Sequence, residues 1–213
     1  ELLNDRDALV FLQEVSPRRA FRILNTFRGR AFVSLARHGL QYLATVLPSG
    51  AHFTERRTKQ LNGHLGVIPA AQSVRRGYGL YRASSRWWRD CFEPRVAQVC
   101  RVSWQGVEFQ VVNTHMSLEN GLRNQSFSLL SGALDGGSVV LAGDFNATRE
   151  DLFLNDFILS ERLRVAGTEE ATHNSDRRID YVLYRGGFRE VGYSTQKSLS
   201  DHRLLAVDLE VEQ

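Results

Sequence analysis

The sequence lacks the features that several classes of protein require. Cys91 and Cys100 are its only cysteines, too few for a disulfide framework and without the paired spacing of a structural zinc site. No run approaches the ~20 consecutive apolar residues that a membrane-spanning helix needs, and no basic-then-apolar signal segment opens the chain. We therefore expect two buried thiols and a soluble protein without stable membrane insertion, with the cytoplasm as the favoured compartment.

Internal repeats, low-complexity tracts and linker-like segments are also absent. A chain of 213 residues with 42% hydrophobic composition can bury a large core, so we expect one monomeric domain over residues 1–213. Lysine and arginine number 27 against 24 aspartates and glutamates, which leaves a formal charge of only +3. That small excess permits a phosphate-bearing partner but does not require one, because affinity for nucleic acid depends on clustered cations.

Hydrophobic patterns along the chain predict many strands and a few helices. A continuous apolar run over 8–12 is typical of a strand buried on both faces. A helix is predicted after Pro17, and a second helix is predicted over 118–134. The apolar face of the first helix is expected to carry Ala20, Phe21, Leu24 and Phe27. Short strands are predicted at 41–47, 64–68, 78–81, 96–102, 107–113, 138–142, 179–184, 191–195 and 204–211. This mixture favours an α/β domain of two packed sheets flanked by helices.

Acids, amides and histidines stand next to the ends of these predicted strands. The residues are Glu14, His115, Asp144, Asn146, Asp180, Asp201 and His202. In stacked-sheet proteins, strand ends hold functional groups on a rigid frame. We therefore expect these side chains to meet in one cavity.

Asp144 and Asn146 are two positions apart, and alternation along an extended chain sends both side chains to the same face. Glu14 and Asp201 would join them from other strand ends and complete an oxygen-rich pocket. Oxygen ligands suit Mg²⁺ or Mn²⁺ rather than zinc. Because the carboxylates would otherwise repel one another, we expect one of these ions as the cofactor.

Five short motifs follow one another along most of the chain: Leu-Gln-Glu at 12–14, Asn-Thr-His at 113–115, Gly-Asp-Phe-Asn-Ala at 143–147, Arg-Ile-Asp-Tyr-Val at 178–182 and Ser-Asp-His at 200–202. They resemble the ordered signatures of the endonuclease/exonuclease/phosphatase superfamily, which includes deoxyribonuclease I, abasic-site endonucleases, tyrosyl-DNA phosphodiesterases, neutral sphingomyelinases, inositol polyphosphate phosphatases and the deadenylases. The resemblance implies a deoxyribonuclease I-like, four-layer α/β/β/α sandwich with two packed mixed sheets flanked by helices. Gly-Asp-Phe-Asn alone could be a simple turn, but five motifs in order favour the functional interpretation.

The resemblance also implies a metal site and a histidine–aspartate pair. Glu14 would bind the metal, and Asp201 would lie near the same ion. Asp180 would hold His202 in one orientation, and a hydrogen bond to the far ring nitrogen would raise the pKa of His202 so that it can act as a cation beside phosphate.

The remaining motif residues are implied to contact the reacting phosphate ester. His115 and Asn146 would contact the phosphoryl oxygens, and Asp144 would orient or deprotonate the attacking water. Ester hydrolysis needs neutralised phosphoryl oxygens, a positioned nucleophile and a stabilised leaving oxygen. Whether Asp144 or His202 is the general base stays open.

The sequence departs from the family pattern before the first motif. Relatives carry an asparagine that assists metal binding on an N-terminal strand, yet only thirteen residues precede Glu14 here. Asn4 is too close to Glu14 and lies in a polar, helix-like stretch. We therefore expect that the first strand is missing from this sequence, or that the protein has lost it and holds metal poorly.

Several residues between the first and second motifs suggest substrate contacts. Asn62 and His64 lie near the place where relatives often carry a Gly-Asn pair that lines the cleft. Trp87 and Trp88 stand next to Arg86, a mixture that could stack bases and grip phosphates, although core packing would explain at least one tryptophan. Surface or turn placement is the favoured expectation for His38, His52, His64 and His173, which match no motif.

These observations lead to one preferred function and two alternatives. The preferred function is an Mg²⁺-dependent phosphodiesterase that acts on nucleic acid or a nucleotide-like ester. The first alternative is the same chemistry on a lipid headgroup, as in a sphingomyelinase or phosphoinositide phosphatase. The second is a catalytically silent scaffold or binding protein with the same fold, suggested by the absent asparagine strand.

Overall fold

The computed structural model describes residues 8–35, 42–61 and 95–212. Three helices in these ranges are Pro17–Thr26 (α1), Asn120–Ser131 (α2) and Leu152–Ser160 (α3). The strands are Val10–Val15 (β1), Ala31–Leu35 (β2), Tyr42–Val46 (β3), His52–Gln60 (β4), Val96–Trp104 (β5), Val107–His115 (β6), Val139–Asp144 (β7), Arg164–Val165 (β8), Asp180–Arg185 (β9), Phe188–Gln196 (β10) and Leu204–Val211 (β11).

The strands form three sheets. The largest has the order β4-β5-β6-β7-β9-β8, and within it only β6 and β7 pair in parallel, joined by the α2 crossover. A three-stranded sheet has the order β1-β3-β2, and β10 pairs with β11. Across the described ranges no strand joins the two smaller sheets, and the predicted loss of a first strand stays a prediction.

Packing arranges these sheets in four layers. Leu130 of α2 and Leu154 of α3 pack on one face of the six-stranded sheet. On its opposite face, Val111 of β6 packs against a cluster that includes Phe11 of β1 and Val207 of β11. Helix α1 then covers the outer face of the three-stranded sheet. The predicted α/β/β/α sandwich of two packed sheets flanked by helices is confirmed.

Helix α1 confirms the prediction of a helix but corrects its buried face. Ala20, Ile23 and Phe27 are buried, because these positions recur at three- and four-residue steps along one side of the helix. Phe21 is 70% exposed and Leu24 is 44% exposed. Each follows a buried residue by one position, which turns its side chain about 100° away from the sheet.

Other elements differ from the sequence predictions in ways that packing explains. Strand β4 was not predicted, because this edge strand is mostly exposed and polar and shows no apolar alternation. Helix α3 was also missed, and the side chain of Asp151 caps it by accepting from the amides of Phe153 and Leu154. The predicted strands at 64–68 and 78–81 lie outside the described residues. No helix in the described part of the chain has the length and apolar character to cross a membrane.

One of the two cysteines also lies in the described residues. Cys100 is a buried free thiol, and burial raises its pKa to about 12. The prediction of a buried thiol is therefore confirmed at this position, and Cys91 lies outside the described residues.

A buried polar network joins the three-stranded sheet to the six-stranded sheet. The Asn113 carboxamide accepts a hydrogen bond from Gln13 at 2.8 Å and donates to the Ala44 carbonyl at 3.0 Å. Thr45 donates to Gln98 at 2.7 Å. Asn113, Thr45 and Gln98 are all fully buried, so leaving any of these groups unpaired would be costly. The network therefore fixes the position of β1, the strand that carries Glu14, relative to β6, the strand that carries His115.

Candidate active site

The candidate active site lies at one end of the six-stranded sheet. Strands β6 and β7 are parallel, so both end there, and His115 pairs in register with Asp144. Strand β9 runs in the opposite direction and begins there, which places Asp180 opposite Asp144. The ends of these three strands thus bring His115, Asp144 and Asp180 together.

Gly143 allows the close approach of β6 and β7 at this end of the sheet. Its φ is +151°, and a Cβ atom there would lie 1.9 Å from the Thr114 carbonyl oxygen. Only glycine fits between these two backbones. The glycine of the Gly-Asp-Phe-Asn motif therefore serves to bring His115 and Asp144 into register.

Asp144 is the most enclosed acid of the site, with 5% of its surface exposed. Its Oδ1 accepts from the Asn146 backbone amide at 2.8 Å, and its Oδ2 accepts from the Asn146 side-chain amide at 3.3 Å. His115 Nε2 lies 3.3 Å from Oδ2, and His202 Nε2 lies 3.9 Å from the same oxygen. Burial acts to raise the pKa of Asp144, but the hydrogen bonds from His115 and Asn146 and the charge of His202 outweigh it and lower that pKa.

His202 forms the predicted pair with Asp180. Its Nδ1 lies 2.9 Å from Asp180 Oδ2 and 3.1 Å from Oδ1. The Thr172 hydroxyl donates to Asp180 Oδ2 at 2.7 Å, which fixes the carboxylate. The hydrogen bond that His202 donates to Asp180 raises the pKa of His202 to about 9 despite its partial burial. Burial and the charge of Asp144 raise the pKa of Asp180, and the hydrogen bond from His202 acts against both.

His115 contacts a buried arginine that no motif includes. Arg95 Nη1 lies 2.9 Å from both ring nitrogens of His115, and the arginine is 5% exposed. A guanidinium has donors only, so any hydrogen bond between these two side chains is donated by Arg95. The Nε2 side of the same ring faces Asp144.

Glu14 reaches the site from the second sheet. The register between β1 and β3 is irregular from Leu12 to Val15, and Glu14 has a φ of +52°. Such a bulge re-aims a side chain at the end of a strand. Glu14 Oε1 lies 4.0 Å from His115 Nε2, and the carboxylate side chain is 58% exposed.

Asp201 lies on the other side of His202 and pairs with a histidine outside the motifs. His173 Nε2 lies 3.5 Å from Asp201 Oδ2, and the two histidine rings meet edge to face at 4.8 Å between centroids. The Ser175 amide donates to His173 Nδ1 at 3.0 Å, which leaves the Nε2 proton to face Asp201. The Ser200 hydroxyl, which donates to Asp201, lowers the pKa of that carboxyl group.

Comparison with known proteins identifies the family. The family model described as "Endonuclease/Exonuclease/phosphatase family" matches residues 1–202. The chain belongs to this family. A search of curated protein sequences found no significant match.

Solved structures of other family members share the fold. A Bacteroides vulgatus endonuclease/exonuclease/phosphatase has a TM-score of 0.70 at 18% identity, covering 96% of this chain and 85% of that one. A Bacteroides thetaiotaomicron protein described as a mannosyl-6-phosphatase has a TM-score of 0.67 at 17% identity, with 95% and 85% covered. The human Nocturnin catalytic domain with bound sulfate has a TM-score of 0.68 at 16% identity, with 95% and 80% covered. At these identities the likeness shows the fold alone.

The residues at the site have the chemistry of a divalent-metal centre, as is general in this family. Ligand atoms of Asp144, Asp180 and His202 all lie within 4.8 Å of one another, and so do those of His173, Asp201 and His202. Burial and the charge of Asp144 raise the pKa of Asp180. The two carboxylates therefore repel each other when no cation is near. Both groups combine carboxylate oxygens with imidazole nitrogens, which divalent cations accept as ligands.

The structure brings most of the sequence-predicted residues together. His115, Asp144, Asn146, Asp180 and His202 form one connected group through contacts of 3.9 Å or less. The two predicted metal ligands lie at its margins: Glu14 faces His115, and Asp201 faces His173. Within the described part of the chain, no group of three or more close metal-ligand atoms contains Glu14, and its role stays a prediction. Outside the described residues lie the predicted substrate contacts Asn62, His64, Arg86, Trp87 and Trp88.

Sequence reasoning missed Arg95 and His173. His173 begins the turn to Arg177, as the expected surface or turn placement allows, but its side chain is only 20% exposed and packs against His202. It stands one position after Thr172, which fixes Asp180. Arg95 directly precedes β5, which is antiparallel to β6, and so it lies at the end of the sheet where His115 lies. Arg95 lies next to a strand that is antiparallel to a motif strand, and this position could have indicated that it belongs to the site.

Proposed function

We propose that this protein is a divalent-metal-dependent phosphodiesterase that acts on nucleic acid or a nucleotide-like ester, with Mg²⁺ or Mn²⁺ as its cofactor. The observation that carries the proposal is the buried Asp144 carboxylate, held by Asn146 and flanked by two histidines. His202, whose pKa is raised to about 9, is the cationic one. A fixed carboxylate beside a cation suits the hydrolysis of an anionic ester.

The charge states of the site residues divide the work between Asp144 and His202. His202 is protonated at neutral pH because its pKa is raised to about 9, so it has no lone pair with which to accept a proton there. Asp144 keeps its charge because its pKa is lowered. We therefore assign Asp144 to orienting and deprotonating the attacking water, and His202 to stabilising charge on the phosphoryl group or the leaving oxygen.

His115 and Asn146 would hold the phosphoryl oxygens. His115 Nε2 and the side-chain amide of Asn146 both lie beside Asp144 Oδ2, so each would have to turn from that carboxylate to a phosphoryl oxygen that binds next to it. A bound divalent cation, held by Glu14 with Asp201 or Asp180 nearby, would neutralise charge on the ester.

Hydrolysis of simple and polymeric diesters tests the proposal. The purified protein should cleave bis(p-nitrophenyl) phosphate and a labelled DNA or RNA oligonucleotide with Mg²⁺ or Mn²⁺, and chelation should stop both reactions. Asp144→Asn and His202→Gln should each lower the rate by about 10²–10⁴-fold. Arg189→Gln is the control, because Arg189 is an exposed residue of β10 that pairs only with Glu210 among the described residues.

Two results would contradict the proposal. If neither metal supports cleavage of any diester, the protein is a silent scaffold of the same fold. If phosphoinositide or sphingomyelin vesicles are hydrolysed while oligonucleotides are not, the substrate is a lipid headgroup. Full activity of Asp144→Asn would remove the assigned role of that residue.

A further inference from the structure

A cleft of about 490 Å³ opens beside the candidate active site. Its volume falls in the range of small-molecule sites, roughly 300–1,000 Å³. The lining residues are Leu118, Asn120, Arg123, Asn146, Ala147, Thr148, Glu150, Asp151 and Arg177. None of them is aromatic, and most carry hydroxyl, amide or charged groups, which suits a ligand rich in hydroxyl groups rather than a stacked base.

Asn146 belongs to both the cleft and the active site. It lines the cleft and at the same time donates to Asp144 Oδ1 through its backbone amide at 2.8 Å. Its φ of +49° turns the chain away from β7 at this point. A phosphate ester seated against Asn146 would therefore direct one of its two substituents into the cleft.

Arg177 supplies the cleft with a cation that lacks an acidic partner in the described ranges. The tight turn from His173 to Arg177 presents it, with Asp176 at a φ of +56°. Arg177 Nε donates to the Ser175 hydroxyl at 2.9 Å, and the same hydroxyl lies 2.6 Å from His173 Nδ1. The Ser175 hydroxyl thus holds Nε of Arg177, and it does not engage the two terminal nitrogens of the guanidinium.

The second arginine of the cleft has a different environment. Arg123 is buried, and it donates to Asp151 at 2.7 Å and to Asn120 at 2.8 Å. Its charge is thereby neutralised within the floor of the cleft. Arg177 is exposed, so an anionic group that enters the cleft meets Arg177 first.

We propose that this cleft binds the sugar attached to the scissile phosphate and that Arg177 contacts the next phosphate along the substrate. Asn120, Thr148 and Glu150 offer the donors and acceptors that sugar hydroxyls require. An arginine matches a phosphate with two parallel hydrogen bonds. This inference rests on the proposed function, and it makes Arg177 and Asn120 determinants of substrate specificity that act outside the reacting atoms.

Three chromogenic substrates separate the cleft from the chemistry. Bis(p-nitrophenyl) phosphate has no sugar, p-nitrophenyl thymidine 5′-phosphate adds the sugar, and its 3′-phosphorylated form adds a second phosphate. Arg177→Gln should lower kcat/KM at least about tenfold on the 3′-phosphorylated ester alone. Asn120→Trp, which fills the mouth of the cleft, should lower kcat/KM on both thymidine esters. Arg189→Gln should leave all three rates unchanged.

Calorimetry with thymidine 3′,5′-bisphosphate tests the cleft without requiring turnover. Arg177→Gln should weaken binding at least about tenfold, whereas Arg189→Gln should not change it. Equal effects of Arg177→Gln on all three substrates, or unchanged binding of the bisphosphate, would overturn the inference while leaving the proposed function intact. If the wild-type protein hydrolyses none of the three esters, the proposed function fails, and the binding measurement still decides whether the cleft holds a sugar phosphate.

Discussion

Replacement of Asp180 by asparagine isolates the electrostatic coupling at the centre of the site. In the wild-type protein, the hydrogen bond that His202 donates to Asp180 raises the pKa of His202 from 6.5 to about 9. That difference corresponds to roughly 3 kcal/mol of preference for the charged imidazole. His202 is 29% exposed, so solvent screening makes this value an upper one. An asparagine keeps the shape of Asp180 but removes its charge, so the pKa of His202 should fall, with burial lowering it and only the charges of Asp144 and Asp201 still raising it.

Two measurements on chelator-treated protein follow this change. NMR titration of the His202 imidazole should give a pKa near 9 in the wild-type protein and a clearly lower pKa in Asp180→Asn. Since the folded protein holds this proton more tightly than the unfolded chain, the contribution of His202 to stability is complete below about pH 6.5 and disappears as the pH rises through about 9. The free energy of unfolding should therefore fall by up to about 3 kcal/mol over that interval, and Asp180→Asn should lack the fall.

The reasoning would be refuted if His202 titrated near 6.5 in the wild-type protein. It would equally be refuted if Asp180→Asn left the pKa of His202 near 9, because the proton would then be held by Asp144 or Asp201 instead. Thr172→Val is a useful companion variant. It removes the hydroxyl that fixes Asp180 but not the charge, so it should lower the pKa of His202 less than Asp180→Asn does.

Three further changes test the frame around the site. Gly143→Ala places a methyl group 1.9 Å from the Thr114 carbonyl oxygen and should lower the free energy of unfolding by about 3–5 kcal/mol in urea; a change below 1 kcal/mol would show that the two strands can separate. Asn113→Leu leaves the Gln13 amide and the Ala44 carbonyl without their partner and should cost about 2–4 kcal/mol in the same assay. Arg95→Met removes the guanidinium that contacts His115, so the ¹⁵N resonances of the His115 imidazole should shift, and an unchanged spectrum would contradict the contact.

The fold and the set of residues that meet at the candidate active site could be predicted from the sequence, because both depend on short-range patterns. Apolar runs marked β1, β6 and β7, and a motif residue at the end of each run was expected to meet the others. The close approach of Asp144 to His115 follows from parallel pairing, which the apolar runs and the intervening helix imply.

Features that depend on single backbone angles or on long-range packing could not be predicted. The bulge at Glu14 has no composition signal, since its φ of +52° belongs to a glutamate rather than a glycine. Arg95 and His173 lie outside the motifs, and only the antiparallel pairing of β5 with β6 and the turn before β9 place them at the site. Helix α1 is a further example. Packing against the sheet that it covers determines that Ile23 rather than Phe21 is buried.

The charges of the site connect its need for a cation to its choice of substrate. Four carboxylates surround two cations there: Glu14, Asp144, Asp180 and Asp201 against Arg95 and His202. His202 offsets Asp180 through direct contact, and Arg95 contacts His115, which in turn contacts Asp144. Glu14 and Asp201, which face His115 and His173, are the exposed carboxylates, so the excess negative charge lies on the open side of the site. Under the proposed function, a phosphodiester would add another negative charge, and repulsion at such distances is several-fold stronger at a partly buried site than in water. A divalent ion at this open side would offset the repulsion, and metal dependence and substrate binding would then have a single electrostatic cause.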